Sequence, residues 1–157
     1  MHAERIMTSK PVTIRPDVRV DKAIGNMHPA GHRILPVIDD EGTIKGVLTS
    51  ASIIARLLPE YIASGELENI SFVPDLGVLR KHYLQMKNHR VDECMDDRPV
   101  LVNPNESLLA ITAALVHENE NKCVLVADAD KHLLGLITPS DVLRTLRELK
   151  LDEAHDA

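Results

Sequence analysis

Three polar residues open a predicted helix in the segment "GLITPSDV" at residues 135–142, namely Thr138, Ser140 and Asp141. A helix N-terminus presents free backbone N–H groups and positive potential, which favour a phosphate, and the two hydroxyls add donors beside it. The carboxylate of Asp141 could accept two hydrogen bonds from the vicinal diol of a ribose. The same residues fit a helix cap, with Thr138 as N-cap and Asp141 as its acidic partner. Taken alone, they leave capping and ligand binding both open.

A near-copy of this segment, "GVLTSASI", occurs earlier in the chain at residues 46–53. The copy keeps the glycine, the threonine and the apolar pattern, but Ser52 stands where the later segment has Asp141. A hydroxyl cannot accept hydrogen bonds from a diol as strongly as a carboxylate does. The two segments are therefore predicted to differ in any binding of a ribose.

The duplication extends well beyond these two segments. "MTSKPVTIRPDVRV" from Met7 matches "MDDRPVLVNPNESL" from Met95, and "HRILPVIDDEGTIKGVLT" matches "NKCVLVADADKHLLGLIT". Self-similarity of this length indicates two copies of one supersecondary unit. Each copy predicts the order strand–helix–strand–strand–helix. The predicted elements are strands at 12–14 and 34–38 and one ending at Leu48, helices from about Val20 and Thr49, then strands at 100–102 and 123–127 and one ending at Ile137, with helices from about Glu106 and Thr138.

The repeats divide the chain into four predicted parts. These are a first repeat at 1–58, a connector at 59–90, a second repeat at 91–150 and a tail at 151–157. One repeat alone is too small to be more than marginally stable, so the two are expected to bury faces against each other.

The connector is predicted to contain an amphipathic helix. Apolar side chains recur there at spacings of three and four, at Leu76, Leu79, Tyr83 and Met86. That spacing places them on one helix face and turns Arg80, Lys81 and Lys87 outward. The helix could cover a face of the module or dock a partner protein, and the sequence leaves both open.

Composition excludes several classes of function. The net charge of −6, with no basic run, argues against a nucleic-acid groove, which needs clustered Lys and Arg. No apolar stretch reaches the roughly 18–20 residues of a membrane span, and the N-terminal segment lacks the apolar run of a signal peptide. Cys94 and Cys123 are not spaced as a redox or zinc pair. A cytoplasmic protein with reduced cysteines is expected.

Other chemistry is not expected from the remaining polar residues. Pro29 and Gly31 separate His28 from His32, which argues against a helical metal-ligand pair, so no metal site is predicted. The acidic turns at 39–41 and 128–130 lack the pattern of a calcium loop. No nucleophile–base pair, phosphate-binding loop or dinucleotide motif is present, so no enzymatic activity is expected.

The duplicated pattern resembles a tandem of CBS (cystathionine β-synthase) domains, often called a Bateman module. The resemblance rests on the Met-Thr and Pro-Val start, the "LPVID" strand, the acidic–Gly turn and the G-x-x-T-x-x-D helix start, and it covers residues 3–58 and 91–149. It implies an α/β fold of two βαββα repeats packed through their sheets with pseudo-twofold symmetry. It also implies clefts that bind adenosine-containing molecules such as AMP, ADP, ATP or S-adenosylmethionine.

In such a module each cleft takes its base-binding walls from one repeat and its helix start from the other. The resemblance assigns to the first cleft Lys10, Pro11, Val12, Thr13, His32, Arg33, Ile34, Leu35, Pro36, Thr138, Ser140 and Asp141. It assigns to the second cleft Thr49, Ser52, Arg98, Pro99, Val100, Lys122, Cys123 and Val124. The second cleft lacks the ribose carboxylate and is expected to be degenerate.

The resemblance implies a regulatory function without catalysis or a catalytic cofactor. The chain is expected to be a stand-alone homodimer that senses an adenosine nucleotide and acts in trans on an effector protein. The alternative is a ligand-independent protein-interaction module in which both clefts are vestigial. Neither nucleic acid nor membrane is an expected partner.

Overall fold

The computed structural model describes residues 1–28, 31–58 and 76–153, and it describes only the backbone of residues 150–153. The α/β class predicted from the sequence is confirmed. The helices are α1 Ala3–Ile6, α2 Val20–Met27, α3 Ser50–Leu57, α4 Leu76–Met86, α5 Val91–Cys94, α6 Leu108–Val116 and α7 Pro139–Glu153. The strands are β1 Ile34–Ile38, β2 Ile44–Thr49, β3 Leu101–Val102, β4 Val124–Ala127 and β5 Leu133–Ile137. None of the helices in the described ranges combines the length and apolarity needed to cross a membrane.

The chain forms two compact units whose boundaries differ from those of the repeats. The first unit contains residues 1–12, 38–44 and 98 onward, and the second contains residues 13–37 and 45–97. Each unit therefore combines most of one repeat with the N-terminal segment of the other repeat.

The first unit is built on a three-stranded sheet in the order β3-β4-β5. Strand β3 runs parallel to β4, which pairs antiparallel with β5. All four residues of β4 are buried, as expected of a central strand that is covered on both faces. The core of this unit consists of Ala3, Ile6, Val102, Ile111, Leu115, Val124, Val126, Ile137 and Val142.

The second unit contains the two-stranded sheet of β1 and β2. The predicted strand at 12–14 is wrong in extent, because only Ile14 is bridged there, in parallel to Val37. The core of this unit consists of Ile14, Val20, Ala23, Met27, Leu35, Val37, Leu48, Ile53, Met86, Val91 and Cys94.

Capping chemistry sets where the helices begin. α3 follows Thr49 as predicted, whereas α6 begins at Leu108 rather than near Glu106. The difference arises because the Ser107 hydroxyl accepts a hydrogen bond from the Ala110 N–H at 3.2 Å. Serine is a strongly preferred N-cap residue, so it fixes the start of the helix.

The connector helix α4 buries less of its apolar stripe than the spacing predicts. Met86 is buried and Tyr83 is half-buried, but Leu76 is 77% exposed and Leu79 is also exposed. α4 also makes a polar contact with α3, since His82 Nδ1 lies 2.9 Å from the Leu57 carbonyl oxygen. The part of the predicted connector at 59–75 lies outside the described residues.

Backbone pairing joins the start of each repeat to a strand of the other repeat. In the first unit Thr8 and Leu136 of β5 exchange both backbone hydrogen bonds, at 2.9 and 3.0 Å. In the second unit Asp96 and Val47 of β2 do the same, both at 2.9 Å. The two units thus contain equivalent antiparallel bridges at equivalent positions of the two repeats.

Glycine is required beside each of these bridges because a backbone carbonyl group of the bridge and a methionine side chain both lie against it. A Cβ atom at Gly46 would lie 2.5 Å from the Asp96 carbonyl oxygen and 2.7 Å from Met95 Sδ. A Cβ atom at Gly135 would overlap the side chain of Met7 and lie 2.8 Å from the Thr8 carbonyl oxygen. The glycine shared by the two duplicated segments is therefore explained by close packing rather than by binding.

Replacing Gly135 by Ala is expected to destabilise the protein by about 1–3 kcal/mol, the usual cost of overpacking a closely packed site. Gly46→Ala should have a similar effect. The matched control is Gly25→Ala within α2, where a new Cβ meets nothing within 4 Å and should stabilise the helix by up to about 1 kcal/mol. Urea unfolding of the three variants measures these changes, and equal stabilities would contradict the packing argument.

Candidate functional site

The carboxylate of Asp141 lies at the start of α7 and is held by three hydrogen bonds. Its Oδ2 accepts from the Thr138 N–H at 2.8 Å and from the Thr138 hydroxyl at 3.1 Å. Its Oδ1 accepts from the Arg144 guanidinium at 2.9 Å. Asp141 is only 6% exposed and is the one buried carboxylate among the side chains that the structure describes. The predicted cap between Thr138 and Asp141 is therefore present.

The detail of this cap differs from the serine or threonine capping box. The Thr138 hydroxyl donates to the carboxylate, and the Asp141 N–H donates to the Thr138 carbonyl oxygen at 3.0 Å. The Asp141 carbonyl oxygen in turn accepts from the Thr145 hydroxyl at 2.8 Å. The carboxylate is thus bound by Thr138 before the helix and by Arg144 within it, while the Thr145 hydroxyl binds the backbone of the same residue.

The corresponding cap in the second unit is reciprocal and uncharged. The Thr49 hydroxyl accepts from the Ser52 N–H at 3.0 Å, and the Thr49 N–H donates to the Ser52 hydroxyl at 3.2 Å. Serine therefore fulfils the capping role completely. Capping alone does not require a carboxylate at the equivalent position of α7, which leaves the charge of Asp141 available for another role.

Sequence reasoning missed Arg144, the charged partner of Asp141. The two residues are three positions apart on a helix, a spacing at which side chains meet. This spacing is the signal that could have identified the pair. The Arg144 side chain is 58% exposed while that of Asp141 is 9% exposed, so an exposed cation is paired with a buried anion.

The other residues assigned to the first cleft are distributed over both units. In the first unit Lys10 and Val12 are exposed and Pro11 is half-buried, and this segment follows the bridge formed by Thr8. Thr138, Ser140 and Asp141 also belong to this unit. The second unit contains Thr13, His32, Arg33, Ile34, Leu35 and Pro36.

Within the second unit, two contacts position the segments assigned to the first cleft. The Ile14 N–H, next to Thr13, donates to the Pro36 carbonyl oxygen at 3.0 Å. The Arg33 carbonyl oxygen accepts from the Ser50 N–H at 2.9 Å. These contacts align the segment after Thr13 with β1 and join the start of β1 to the start of α3.

The residues assigned to the second cleft are divided in the same way. Arg98, Pro99, Val100, Lys122, Cys123 and Val124 belong to the first unit, and Thr49 and Ser52 belong to the second. The Leu125 N–H donates to the Val100 carbonyl oxygen at 2.9 Å, which joins the segment after Pro99 to β4. Both clefts, as complete sites, stay predictions.

A groove of about 420 Å³ in the second unit has walls formed by α2, α3 and α4, a size typical of small-molecule sites. Two residues predicted from the sequence, His32 and Arg33, lie in its wall together with Ser50. Its other lining residues are Ile24, Met27, His28, Gly31, Ile53, Ile54, Leu57 and Tyr83. No pattern in the sequence predicted this groove, because its walls come from segments far apart along the chain.

The acidic turns are explained by local hydrogen bonding. In the β4–β5 turn, Asp128 Oδ1 accepts from the backbone N–H groups of Asp130 and His132, both at 2.9 Å. The His132 N–H, first among several hydrogen bonds, holds the pKa of the Asp128 carboxyl below its usual range. Asp128, Asp130 and His132 have ligand-type atoms within 4.8 Å of one another, but the turn itself accounts for this arrangement. The β1–β2 turn repeats it, with Asp39 Oδ1 accepting from the N–H groups of Glu41 and Thr43.

Comparison with known proteins identifies relatives along most of the chain. A CBS domain protein of Dictyostelium discoideum is 26% identical over 91% of this chain and 89% of its own length. A protein of Methanocaldococcus jannaschii is also 26% identical, but the chain spans only 48% of its length. The chloroplastic protein CBSX2 of Arabidopsis thaliana is 25% identical, and the chain spans 59% of it.

Solved structures of two of these relatives superpose on this chain. The crystal structure of CBSX2 in complex with AMP superposes with a TM-score of 0.70 at 25% identity, covering 95% of this chain and 98% of that one. The structure of the M. jannaschii protein superposes with a TM-score of 0.73 at 21% identity, covering 92% of this chain and 47% of that one. The CBS domain family model matches twice, at residues 3–59 and 91–148. This chain therefore belongs to the CBS domain family and contains a tandem pair of these domains.

Proposed function

We propose that this chain is a regulatory module that binds an adenosine nucleotide of the AMP, ADP or ATP class, or S-adenosylmethionine, and acts in trans on a partner protein. The observation that carries the proposal is the buried, oriented carboxylate of Asp141, present in one repeat and replaced by Ser52 in the other. The AMP complex of CBSX2 supports the ligand class, because that protein is similar over nearly the whole chain.

The proposed first cleft assigns a role to each kind of side chain. Asp141 accepts hydrogen bonds from the ribose hydroxyls, and its negative charge strengthens these bonds. Thr138 and Ser140 supply hydroxyls at the start of α7, where the helix dipole favours a phosphate. Lys10 or Arg33 neutralises the phosphate. The apolar segment Ile34–Pro36, with Pro11, Val12 and Thr13, forms the walls for the base, and His32 flanks it.

The proposed second cleft is degenerate. Its helix start offers only the hydroxyls of Thr49 and Ser52, which already bind each other's backbone N–H groups. We expect this cleft not to hold a ribose at the concentrations that fill the first.

Regulation without catalysis is the proposed mode of action. Ligand occupancy would bias two arrangements of the repeats and so change the affinity for the partner, as linkage requires. A cytoplasmic location is part of the proposal, although the relative CBSX2 is named as chloroplastic.

A ligand-independent interaction module is the second candidate, and one observation favours it. Apolar side chains on α6 and α7 of the first unit are exposed: Leu109 is 80% exposed, Val116 71% and Leu143 66%. Groups of exposed apolar side chains are typical of protein-interaction surfaces. The same residues are the proposed surface of a homodimer.

The first prediction for this function concerns stoichiometry. Titration calorimetry with AMP, ADP, ATP and S-adenosylmethionine should detect one site per chain for at least one of them. That ligand should also raise the melting temperature, because it binds only the folded state. Two equal sites per chain would contradict the degenerate second cleft, and the lack of any adenosine ligand would favour the interaction module.

The Asp141→Asn variant separates binding from capping. Its uncharged amide keeps an oxygen for the Thr138 N–H, but the loss of charge at the helix N-terminus and of the ion pair with Arg144 should together cost about 0.5–2 kcal/mol of stability. Loss of charge-assisted bonds to a ribose should cost about 1.5–3 kcal/mol of binding, or roughly tenfold to a hundredfold in affinity. The control is Ser52→Ala, which should lose about 1 kcal/mol of capping stability and leave affinity unchanged. If wild type and Asp141→Asn bind the nucleotide with equal affinity, Asp141 only caps α7 and does not bind the ligand.

The third prediction concerns the homodimer. Leu143→Asp should dissociate it without unfolding the chain, since this side chain is already exposed. The control is Leu84→Asp on α4 in the second unit, which is also exposed and should leave the dimer intact. Sedimentation velocity with circular dichroism measures both properties. Dissociation by Leu84→Asp alone would assign the interface to the connector, and a monomeric wild type would remove the homodimer.

A further inference from the structure

We infer that Arg144 competes with the ribose for Asp141 and thereby sets the affinity of the site and its selectivity for a diol. The inference rests on the proposed function, because it concerns the ligand of the same carboxylate. It depends on the hydrogen bonds that the structure assigns to the two oxygens of Asp141.

A carboxylate has about four acceptor positions, two on each oxygen. Both positions of Asp141 Oδ2 are used, by the N–H and the hydroxyl of Thr138. One position of Oδ1 is used by Arg144. One acceptor position therefore remains, while the vicinal diol of a ribose needs two. A single hydroxyl fits this site as it stands, and a diol requires one existing hydrogen bond to break.

Arg144 is the partner that can leave at least cost. The Thr138 N–H is part of the backbone at the start of α7, and the Thr138 hydroxyl belongs to the same partly buried residue. The guanidinium of Arg144 is held by a long side chain that is 58% exposed, so water can solvate it after release. Solvation of the released guanidinium offsets the loss of its hydrogen bond, which makes this bond easier to exchange than the two bonds from Thr138.

The arrangement is specific to the repeat that has the carboxylate. The position that corresponds to Arg144 in the first repeat is Ala55, and the position that corresponds to Asp141 is Ser52. The possible competitor and the acceptor thus occur together in one repeat and are both missing from the other.

The test compares adenosine with 2′-deoxyadenosine, two uncharged probes that remove any effect of Arg144 on a phosphate. In the wild type the two should bind with similar affinity, because only one acceptor position is open. In Arg144→Ala, adenosine should bind about two- to fivefold more tightly, the effect of losing one exposed ion pair, while 2′-deoxyadenosine should change little. Calorimetry measures both affinities.

Two further variants sharpen the test. Arg147→Ala removes an exposed arginine one helical turn farther along α7 and should leave the ratio of the two affinities unchanged. Thr138→Val removes the hydroxyl that also binds Asp141. If Thr138→Val raises the preference for adenosine and Arg144→Ala does not, the hydroxyl is the group that yields and the inference about Arg144 is wrong.

The outcomes distinguish this inference from the proposed function. Binding of adenosine with an unchanged ratio in Arg144→Ala overturns the role of Arg144 and leaves nucleotide binding intact. Equal weakening of both probes in Arg144→Ala assigns Arg144 to positioning of Asp141 and also overturns competition. Failure of both probes and of all adenosine nucleotides to bind any variant overturns the proposed function and the inference together.

Discussion

The paired backbone hydrogen bonds of Thr8 with Leu136, and of Asp96 with Val47, are the interactions on which the rest of this fold depends. Each pair joins the start of one repeat to the last strand of the other, and each lies where a methionine covers a glycine. Without these bridges, the segments at 1–12 and 91–97 would have no sheet edge to join within their units. The bridge also fixes the strand whose end leads directly into the capped helix of each repeat.

The capped helix starts show how a duplicated framework can hold different chemistry. Backbone geometry is preserved by two distinct solutions, a reciprocal pair of hydroxyls at Thr49 and Ser52 and a buried carboxylate at Asp141. In the first solution each hydroxyl accepts a hydrogen bond from the backbone N–H of the other residue. In the second solution the carboxylate keeps one acceptor position open. The difference between the repeats is therefore one of charge and accessibility rather than of fold.

Local sequence patterns predicted the individual strands and helices well, but they did not predict how the two repeats combine into units. Strand β1 was predicted with its correct limits because the apolar run at 34–38 is bounded by polar residues, and α3 follows Thr49 as its cap chemistry indicates. The exchange of N-terminal segments could not be predicted, since nothing in residues 1–12 specifies a partner near Leu136. Of the site, the helix start with Asp141 was predictable, whereas the groove of the second unit depends on helices that only the tertiary fold brings together.

The bridge between Thr8 and Leu136 also constrains how the chain reaches its folded state. The two residues are separated by almost the whole sequence, so closing this contact carries the entropy cost of a very long loop and favours slow folding. During synthesis, the N-terminal segment emerges long before β5 exists and must wait for its strand partner. For this interval Ile6 and Met7, which pack into the core of the first unit, remain uncovered. Completion of the first unit is therefore a late event in biosynthesis, because it needs both residues 1–12 and the strands after residue 98.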